Sequence, residues 1–386
     1  MQRVNSVLQR SDKYLQENNK NKKTIKRDYS YNDSNDSKNQ QPTHLISKFI
    51  QNNHIKKENK ITNNSPQQNN KQNLNLINIF NSNKLNESIK SQECNNINNY
   101  NKNNNQNYLQ NFAIVQKLGE GKFSEVYFAV EKYTNFLVCL KKIKIETIKK
   151  YGTEKEIGNE IKTQMYLTHP NIIQLYGFFI ENNFLYLIQE FTEGKNLFTD
   201  QKQQQNKKYK EIQVANIIKQ ILETLNFMHQ KNIIHRDIKP ENIIINNEVV
   251  KICDFGYATF LNCKQNNLCG TLDYVSPEMI QGKDYDFSVD IWSIGILTFE
   301  LLFGFVPFFE KGEEETFNKI LNENVEFPGI VSFEAVSFIE GLLQKQPEKR
   351  MKIQNALKHL FIINNMSSRN IENKKNQLDF EDFKVF

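Results

Sequence analysis

Cysteine is scarce in this chain, and glycine is missing from its whole first quarter. The five cysteines (Cys94, Cys139, Cys253, Cys263 and Cys269) are odd in number and include no C-x-x-C pair. That argues against a disulfide framework or a zinc site and for a reducing compartment. The first residues mix charged and polar side chains, so the apolar centre of a secretory signal is missing. No internal repeat is visible. None of the 14 glycines falls within residues 1–107, and roughly a quarter of that stretch is Asn. Such a composition does not encode a packed core, so residues 1–107 are expected to form a disordered Asn/Lys-rich tail. The tail carries a net charge of +9 and the rest of the chain −3, within a total of +6. A basic tail suits nucleic acid, anionic membrane or acidic partners. The plainer reading is a solvated low-complexity extension, with no specific nucleic-acid partner.

Long hydrophobic runs are almost absent too. The exception is Ile291 to Phe309, in which Glu300 is the only charged residue. By length it could be a membrane span. However, Glu300 lies near its centre, two glycines and Pro307 interrupt it, and Asp290 abuts it. A helix that is apolar all round can equally form the centre of a large soluble lobe, and that is the expectation, with no transmembrane segment.

From Phe112 onward the texture becomes globular. Short β-rich runs come first: F-A-I-V-Q-K-L, then Glu125 to Val130, then Phe136 to Ile143. A helical stretch follows, with Ile157, Ile161 and Met165 four residues apart, and His169-Pro170 is expected to end it. Two further strands read I-I-Q-L-Y-G-F-F and F-L-Y-L-I-Q-E-F. After Glu211 the pattern is helical, with Val214, Ile218, Ile221, Leu225 and Met228 forming an apolar stripe. Helices are also expected near 288–304, 313–322, 332–344 and 351–359. The fold class is therefore α+β and bilobal, with a small β-rich lobe, a larger helical lobe and a nucleotide-sized cleft between them. The expected division is a tail over 1–107, a folded domain over 108–362 and a polar tail over 363–386.

The most informative string is H-R-D-I-K-P-E-N (His235 to Asn242), followed by D-F-G (Asp254 to Gly256). Moving a phosphoryl group to a hydroxyl requires one carboxylate to orient the attacking oxygen, a cation on the γ-phosphate and two oxygen ligands for Mg2+. Asp237, Lys239, Asn242 and Asp254 fit those four roles in that order. His235 reads as a packed structural histidine. Arg236 reads either as a surface ion-pair former or as a clamp for a phosphate on the segment after D-F-G. Gly119-Glu120-Gly121 lies between the first two strands, where glycines let backbone amides approach phosphates. Ser124 stands where the pattern G-x-G-x-x-G would have its third glycine, and a plain hairpin turn is the competing reading. Lys141 ends an apolar strand run and Glu160 on the next helix could pair with it. Neighbouring Lys142 is the rival, and strand alternation allows only one of the two lysines into the cleft.

Residues 112–361 resemble a eukaryotic protein kinase domain. Ser276-Pro277-Glu278 stands where that family has A-P-E, and Asp290-Ile291-Trp292-Ser293 resembles its D-x-W-S. Leu268 to Gly282 and His169 to Phe179 are similar to the Aurora kinases in particular. Leu272-Asp273 separates the string from polo-like kinases, whereas Ser276 departs from the Aurora proline. The resemblance implies ATP and Mg2+ as cofactors. It implies ATP contacts at Leu118, Gly119, Glu120, Gly121, Val126 and Lys141, and at the hinge residues Glu190 and Thr192, with Asn242 and Asp254 on the metal. It makes Lys141, Glu160, Asp237 and Lys239 the catalytic set and Arg350 the buried partner of Glu278. Lys239 marks Ser/Thr specificity, so protein substrates with Ser/Thr acceptors are expected. Glu241 implies basic residues upstream of the target. A role in cell division is implied, in the cytoplasm or nucleus, at the spindle, centrosome or kinetochore.

Two departures stand out. Asn266 and Asn267 occupy the paired-threonine positions, the second of which activates Aurora kinases when phosphorylated, and Asn159 replaces an arginine that meets that phosphate. The segment after D-F-G must then be ordered by the asparagine amides or by an activating protein on the small lobe. Gln189, at the gatekeeper position, either lines the adenine pocket or hydrogen-bonds locally. The alternatives to an active kinase are a pseudokinase or a scaffold acting through its tail. In the tail, Lys57-Glu58-Asn59 spells a degradation signal that chance also produces, and Leu74 to Phe80 is an apolar island.

Overall fold

A computed structural model describes residues 107–121, 124–261 and 265–367. The Lys57-Glu58-Asn59 string, the Leu74–Phe80 island, nearly all of the N-terminal tail and residues 368–386 lie outside that range. Residues 360–367 are helical, so regular structure runs past the expected start of the C-terminal tail.

The small lobe is a five-stranded antiparallel sheet in the order β1-β2-β3-β5-β4. Its strands are β1 (Phe112–Glu120), β2 (Ser124–Glu131), β3 (Leu137–Lys144), β4 (Leu175–Glu181) and β5 (Phe184–Glu190). Two helices separate β3 from β4: α1 (Ile145–Tyr151), which the sequence pattern did not announce, and α2 (Glu154–Tyr166). Gly152 caps α1 with φ 62°, a conformation open to glycine at little cost. Ile157, Ile161 and Met165 of α2 pack on Ile143, Leu175, Leu185 and Leu187 of the sheet, as their spacing requires. Helix α2 ends at Tyr166, ahead of the His169-Pro170 stop. Strand β4 begins at Leu175 and not at Ile172, because Ile172 bridges to Ile252 of the large lobe and Ile173 N donates to the carbonyl of Ile252. Those two isoleucines join the lobes instead of extending the sheet.

The large lobe opens with β6 (Lys195–Asn196) and α3 (Leu197–Gln203), followed by α4 (Glu211–Gln230). Short strands β7 (Ile233–Ile234), β8 (Ile243–Asn246), β9 (Val249–Ile252) and β10 (Thr259–Phe260) carry the catalytic loop and the D-F-G string. Helices α5 (Pro277–Ile280), α6 (Ser288–Phe303), α7 (Glu313–Asn322), α8 (Phe333–Leu342) and α9 (Ile353–Ala356) complete it. The stripe Val214, Ile218, Ile221, Leu225 and Met228 is fully buried, worth about 1.5–3 kcal/mol for each side chain removed from water.

Helix α6 is the centre of this core. Every residue from Val289 to Phe299 is buried, so the one long apolar run is an interior helix. Among the described residues no helix is long and apolar enough to cross a membrane. A methyl group on Gly295 would come within 2.5 Å of Leu343 Cδ2, so glycine is what lets the chain beyond α8 pack so closely on α6. Glu278 and Arg350 are joined by two parallel hydrogen bonds of 2.8 and 3.0 Å, with both side chains almost wholly out of water. This is the pairing that the family resemblance implied.

Candidate active site

Strand β3 and helix α2 set the upper wall of the cleft. Lys141 Nζ donates to Glu160 Oε1 at 2.6 Å and reaches Asp254 Oδ1 at 3.4 Å. Burial alone would lower the pKa of this ammonium, but the carboxylates of Asp254 and Glu160 outweigh it and raise the pKa, so the lysine stays charged. Lys142 projects to the other face, where it donates to Glu125 at 3.2 Å and lies 4.2 Å from the Phe184 ring centre. Of the two rival lysines, Lys141 is the one in the cleft.

The loop between β1 and β2 is held by Gly121 N, which donates to Ser124 O at 2.7 Å. Gly119 pairs with Val126 and Glu120 with Glu125 across the hairpin, so a hairpin and an open glycine face coexist. A Cβ at Gly119 would meet nothing within 4 Å. Leu118 is exposed beside it. The carboxylate of Glu120 turns to Lys117 at 2.7 Å on the outside, so this residue can meet a nucleotide only through its backbone. Glu190 likewise turns its carboxylate away, to Lys251 at 2.9 Å, which ties the hinge to β9 of the large lobe. Thr192 Oγ1 donates to Glu193 O at 3.4 Å. Gln189 Nε2 donates to Gln164 Oε1 of α2 at 3.2 Å, and both side chains are buried. The local hydrogen bond is the alternative that the geometry takes.

The catalytic loop forms the floor. Its backbone hangs from one carboxylate on α6: His235 N and Arg236 N donate to Asp290 at 3.0 and 2.8 Å, and His229 Nε2 lies 2.8 Å from the same group. Burial would raise the Asp290 carboxyl, but the bond from His229 and the neighbouring histidine outweigh it and hold it below the usual range. His235 is fully buried against Phe255, their ring centres 5.1 Å apart, in keeping with a structural role.

Asp237 gathers the remaining groups. It accepts from Asn242 Nδ2 at 2.8 Å and Thr271 Oγ1 at 2.8 Å, and it lies 3.1 Å from Lys239 Nζ. Lys239 also donates to Thr271 at 2.6 Å. Asn242 spends its N–H groups on the backbone and side chain of Asp237, which leaves its Oδ1 for a cation. Asp254 adopts φ 59°, and the positive charge of Lys141 draws its carboxyl below the ordinary range. One carboxylate and one amide oxygen are hard ligands of the kind Mg2+ accepts when phosphate oxygens complete its shell. The residues present therefore fit both Mg2+ and a triphosphate.

Three carboxylates that sequence reasoning left apart act on one another electrostatically. Glu300 of α6 accepts from Tyr274 OH, and Glu241 and Asp273 act on it electrostatically. Burial, less the Tyr274 bond, and then those two negative neighbours push its carboxyl up to about 7. Glu241 is raised in the same direction, by burial first. The signal was visible: Glu300 is the one charge in an apolar run, and such a residue needs a reason to be there.

A bilobal fold whose cleft holds a Lys–Glu pair, an oriented aspartate and two oxygen ligands is that of a phosphoryl-transfer domain. The protein kinase domain family matches residues 112–362. Aurora kinase A-A of Xenopus laevis is 39% identical over 259 residues, covering 67% of this chain and 63% of that protein. Aurora kinase of Schizosaccharomyces pombe is 39% identical over 255 residues, 65% of this chain and 71% of that protein. Aurora kinase B of Mus musculus is 37% identical over 256 residues, 66% of this chain and 74% of that protein. On these grounds the chain belongs to the protein kinase family and, within it, to the Aurora kinases. It spans 63% of the length of the Xenopus laevis relatives.

Proposed function

We propose that this chain transfers the γ-phosphoryl group of ATP to serine or threonine hydroxyls of proteins. The observation that carries the reading is the 2.6 Å Lys141–Glu160 pair above an Asp237 already fixed by Asn242 and Lys239. Lys141 holds the α- and β-phosphates and is itself held by Glu160. Asp237 orients the incoming hydroxyl and accepts its hydrogen bond, and Lys239 lies beside it to neutralise the γ-phosphate. Asn242 and Asp254 hold Mg2+, which supplies charge neutralisation across the phosphates when bound. Preorganised charge of this kind is the main catalytic contribution in phosphoryl transfer. The backbone of Gly119, Glu120 and Gly121, with Leu118 and Val126, covers the nucleotide, whose adenine lies at the hinge by Glu190 and Thr192.

Substrates are proposed to carry arginine or lysine upstream of the target. Glu241 supports this reading, and Asp273, with Glu300 once it is deprotonated, adds negative charge that acts on it. A guanidinium can meet a carboxylate through two bonds, which gives selectivity as well as affinity. The same reading includes work in cell division, in the cytoplasm or nucleus and at the spindle, centrosome or kinetochore, and its support is the likeness to Aurora kinases.

Radiolabel transfer from ATP to a basic peptide, with Asp254→Ala as control, tests the activity. Transfer no higher than in the control would leave a nucleotide-binding or scaffold module. A peptide array favouring acidic or proline-directed sites would remove the basic preference, and imaging of a tagged chain through division tests the location.

A further inference from the structure

In the Aurora relatives that the sequence resembles, a phosphate orders the segment between D-F-G and Glu278, and here its position is an asparagine. The geometry around Arg236 shows what stands in its place. Arg236 Nε donates to Tyr257 O at 2.7 Å, and Nη1 donates to Asn267 Oδ1 at 3.1 Å and to Tyr285 OH at 3.0 Å. Tyr285 OH in turn lies 2.9 Å from both the carbonyl and the side-chain oxygen of Asn267. Among the described residues no carboxylate pairs with Arg236. Its three acceptors among the described residues are neutral oxygens, two from the D-F-G segment and one from the loop before α6.

The segment is pinned at several further points. Tyr285 N donates to Gln265 O at 2.8 Å, which adds a backbone bond to the side-chain cluster. At Gly270 the chain takes φ 92°, and an added Cβ would lie 2.5 Å from Arg236 O. Glycine thus lets the segment cross directly over the catalytic loop. One residue on, Thr271 bonds both Asp237 and Lys239. Asn267 and Thr271 are the two ends of a five-residue strap whose far end touches the catalytic groups. Position 159 on helix α2 adds no second cation for an anion at this place, since Asn159 is uncharged.

We infer that Asn267, seated with Tyr285 on Arg236, is a positioning residue that replaces the activating phosphate. It holds the strap so that Thr271 stays on Asp237 and Lys239 in the unphosphorylated chain. This rests on the phosphoryl-transfer reading above and deepens its regulation. A charged donor to a neutral acceptor is stronger than a neutral pair, and Asn267 needs no second enzyme to install it. An activating protein on the small lobe is then dispensable.

The test uses the purified full-length chain treated with phosphatase, compared with Asn267→Ala, Asn267→Asp and Tyr285→Phe. Two readouts are taken: hydrogen exchange across residues 254–278, and kcat with KM for ATP and for a basic peptide. Phosphatase is expected to change wild-type turnover less than about twofold, since no charge-assisted contact at Arg236 depends on phosphate. Asn267→Ala is expected to speed exchange around residues 265–271 and lower kcat about tenfold, with KM for ATP unchanged. Asn267→Asp, which keeps an oxygen on Arg236, is expected to restore both, and a purely structural role in the fold would not show that rescue. Tyr285→Phe should fall between. Unchanged exchange in Asn267→Ala, no recovery in Asn267→Asp, or wild-type activity that depends on a phosphate mapped between Asp254 and Glu278 would each overturn the inference. Wild-type turnover no higher than that of Asp254→Ala would sink the kinase reading instead, and the exchange arm would still decide the strap.

Discussion

Replacing Gln189 with leucine should destabilise the small lobe although leucine is the more apolar residue. Gln189 Nε2 donates to Gln164 Oε1 at 3.2 Å, and Gln164 Nε2 donates to Ile173 O at 2.8 Å. Gln164 is fully buried, one helical turn beyond Glu160 on α2. Gln189→Leu strips the donor from one buried acceptor, at a cost of about 1–2 kcal/mol. In a domain of this size that lowers the melting midpoint by about 2–8 °C. Gln164→Leu strands two groups, Gln189 Nε2 and Ile173 O, and should cost about twice as much. The double variant strands only Ile173 O, so its loss should be smaller than the sum by about 1 kcal/mol or more. Because Glu160 shares the helix face, KM for ATP should rise several-fold in Gln164→Leu. The assay is thermal unfolding of the four proteins at one pH, with ATP titrations alongside. A stabilised Gln189→Leu, or single effects that simply add, would show that the amide pair is incidental.

Lys141→Met should lower kcat about 10²–10³-fold, as for the loss of one preorganised charge, while Lys142→Met should stay within a few-fold of wild type; steady-state kinetics on both decides the assignment. Glu300, with its carboxyl near 7, should make KM for an arginine-bearing peptide fall as pH rises from 6 to 8, because the carboxylate form is the one that binds. Glu300→Gln should flatten that profile, and an unaltered slope would remove Glu300 from the substrate site. The same raised value means that the protonated form favours the fold, so this group's contribution is complete below its unfolded value near 4.5 and is lost as pH climbs through about 7. Urea midpoints of Glu300→Gln should accordingly vary less with pH over that window than those of wild type. Arg350→Leu leaves Glu278 as a buried unpaired charge and should cost about 3–5 kcal/mol by chemical denaturation, whereas Arg350→Leu with Glu278→Leu should recover part of it.

The groups that do the chemistry were legible because they sit in short contiguous strings. Asp237, Lys239 and Asn242 share one loop, and their mutual distances follow from it. Lys141 could be placed on one face of β3 by strand alternation, but which face the sheet buries depends on β5 and α2. The contacts that escaped notice act across long sequence separations. Glu300 joins Glu241 from a helix that reads as uniformly apolar. Gln164 meets Gln189 only once α2 lies on β5, and Tyr285 meets Asn267 only once the loop before α6 folds back. Element boundaries slipped where tertiary contact outweighed local pattern. Ile172 and Ile173 have β-propensity, yet they spend it on Ile252 in the other lobe.

The position of α6 in the chain also sets an order for folding during synthesis. The small lobe's sheet is complete once residue 190 has emerged, since its five strands all lie between Phe112 and Glu190. The apolar stripe of α4 ends at Met228, but α6, on which α4 packs, ends at Phe303. At about 5–20 residues per second, the ribosome leaves that stripe without its central partner for roughly 4–15 s. Over that interval a surface of Val, Ile, Leu and Met faces solvent or a chaperone. The nascent large lobe is thus the stage at which aggregation competes with folding, and a stall between residues 230 and 303 would prolong it.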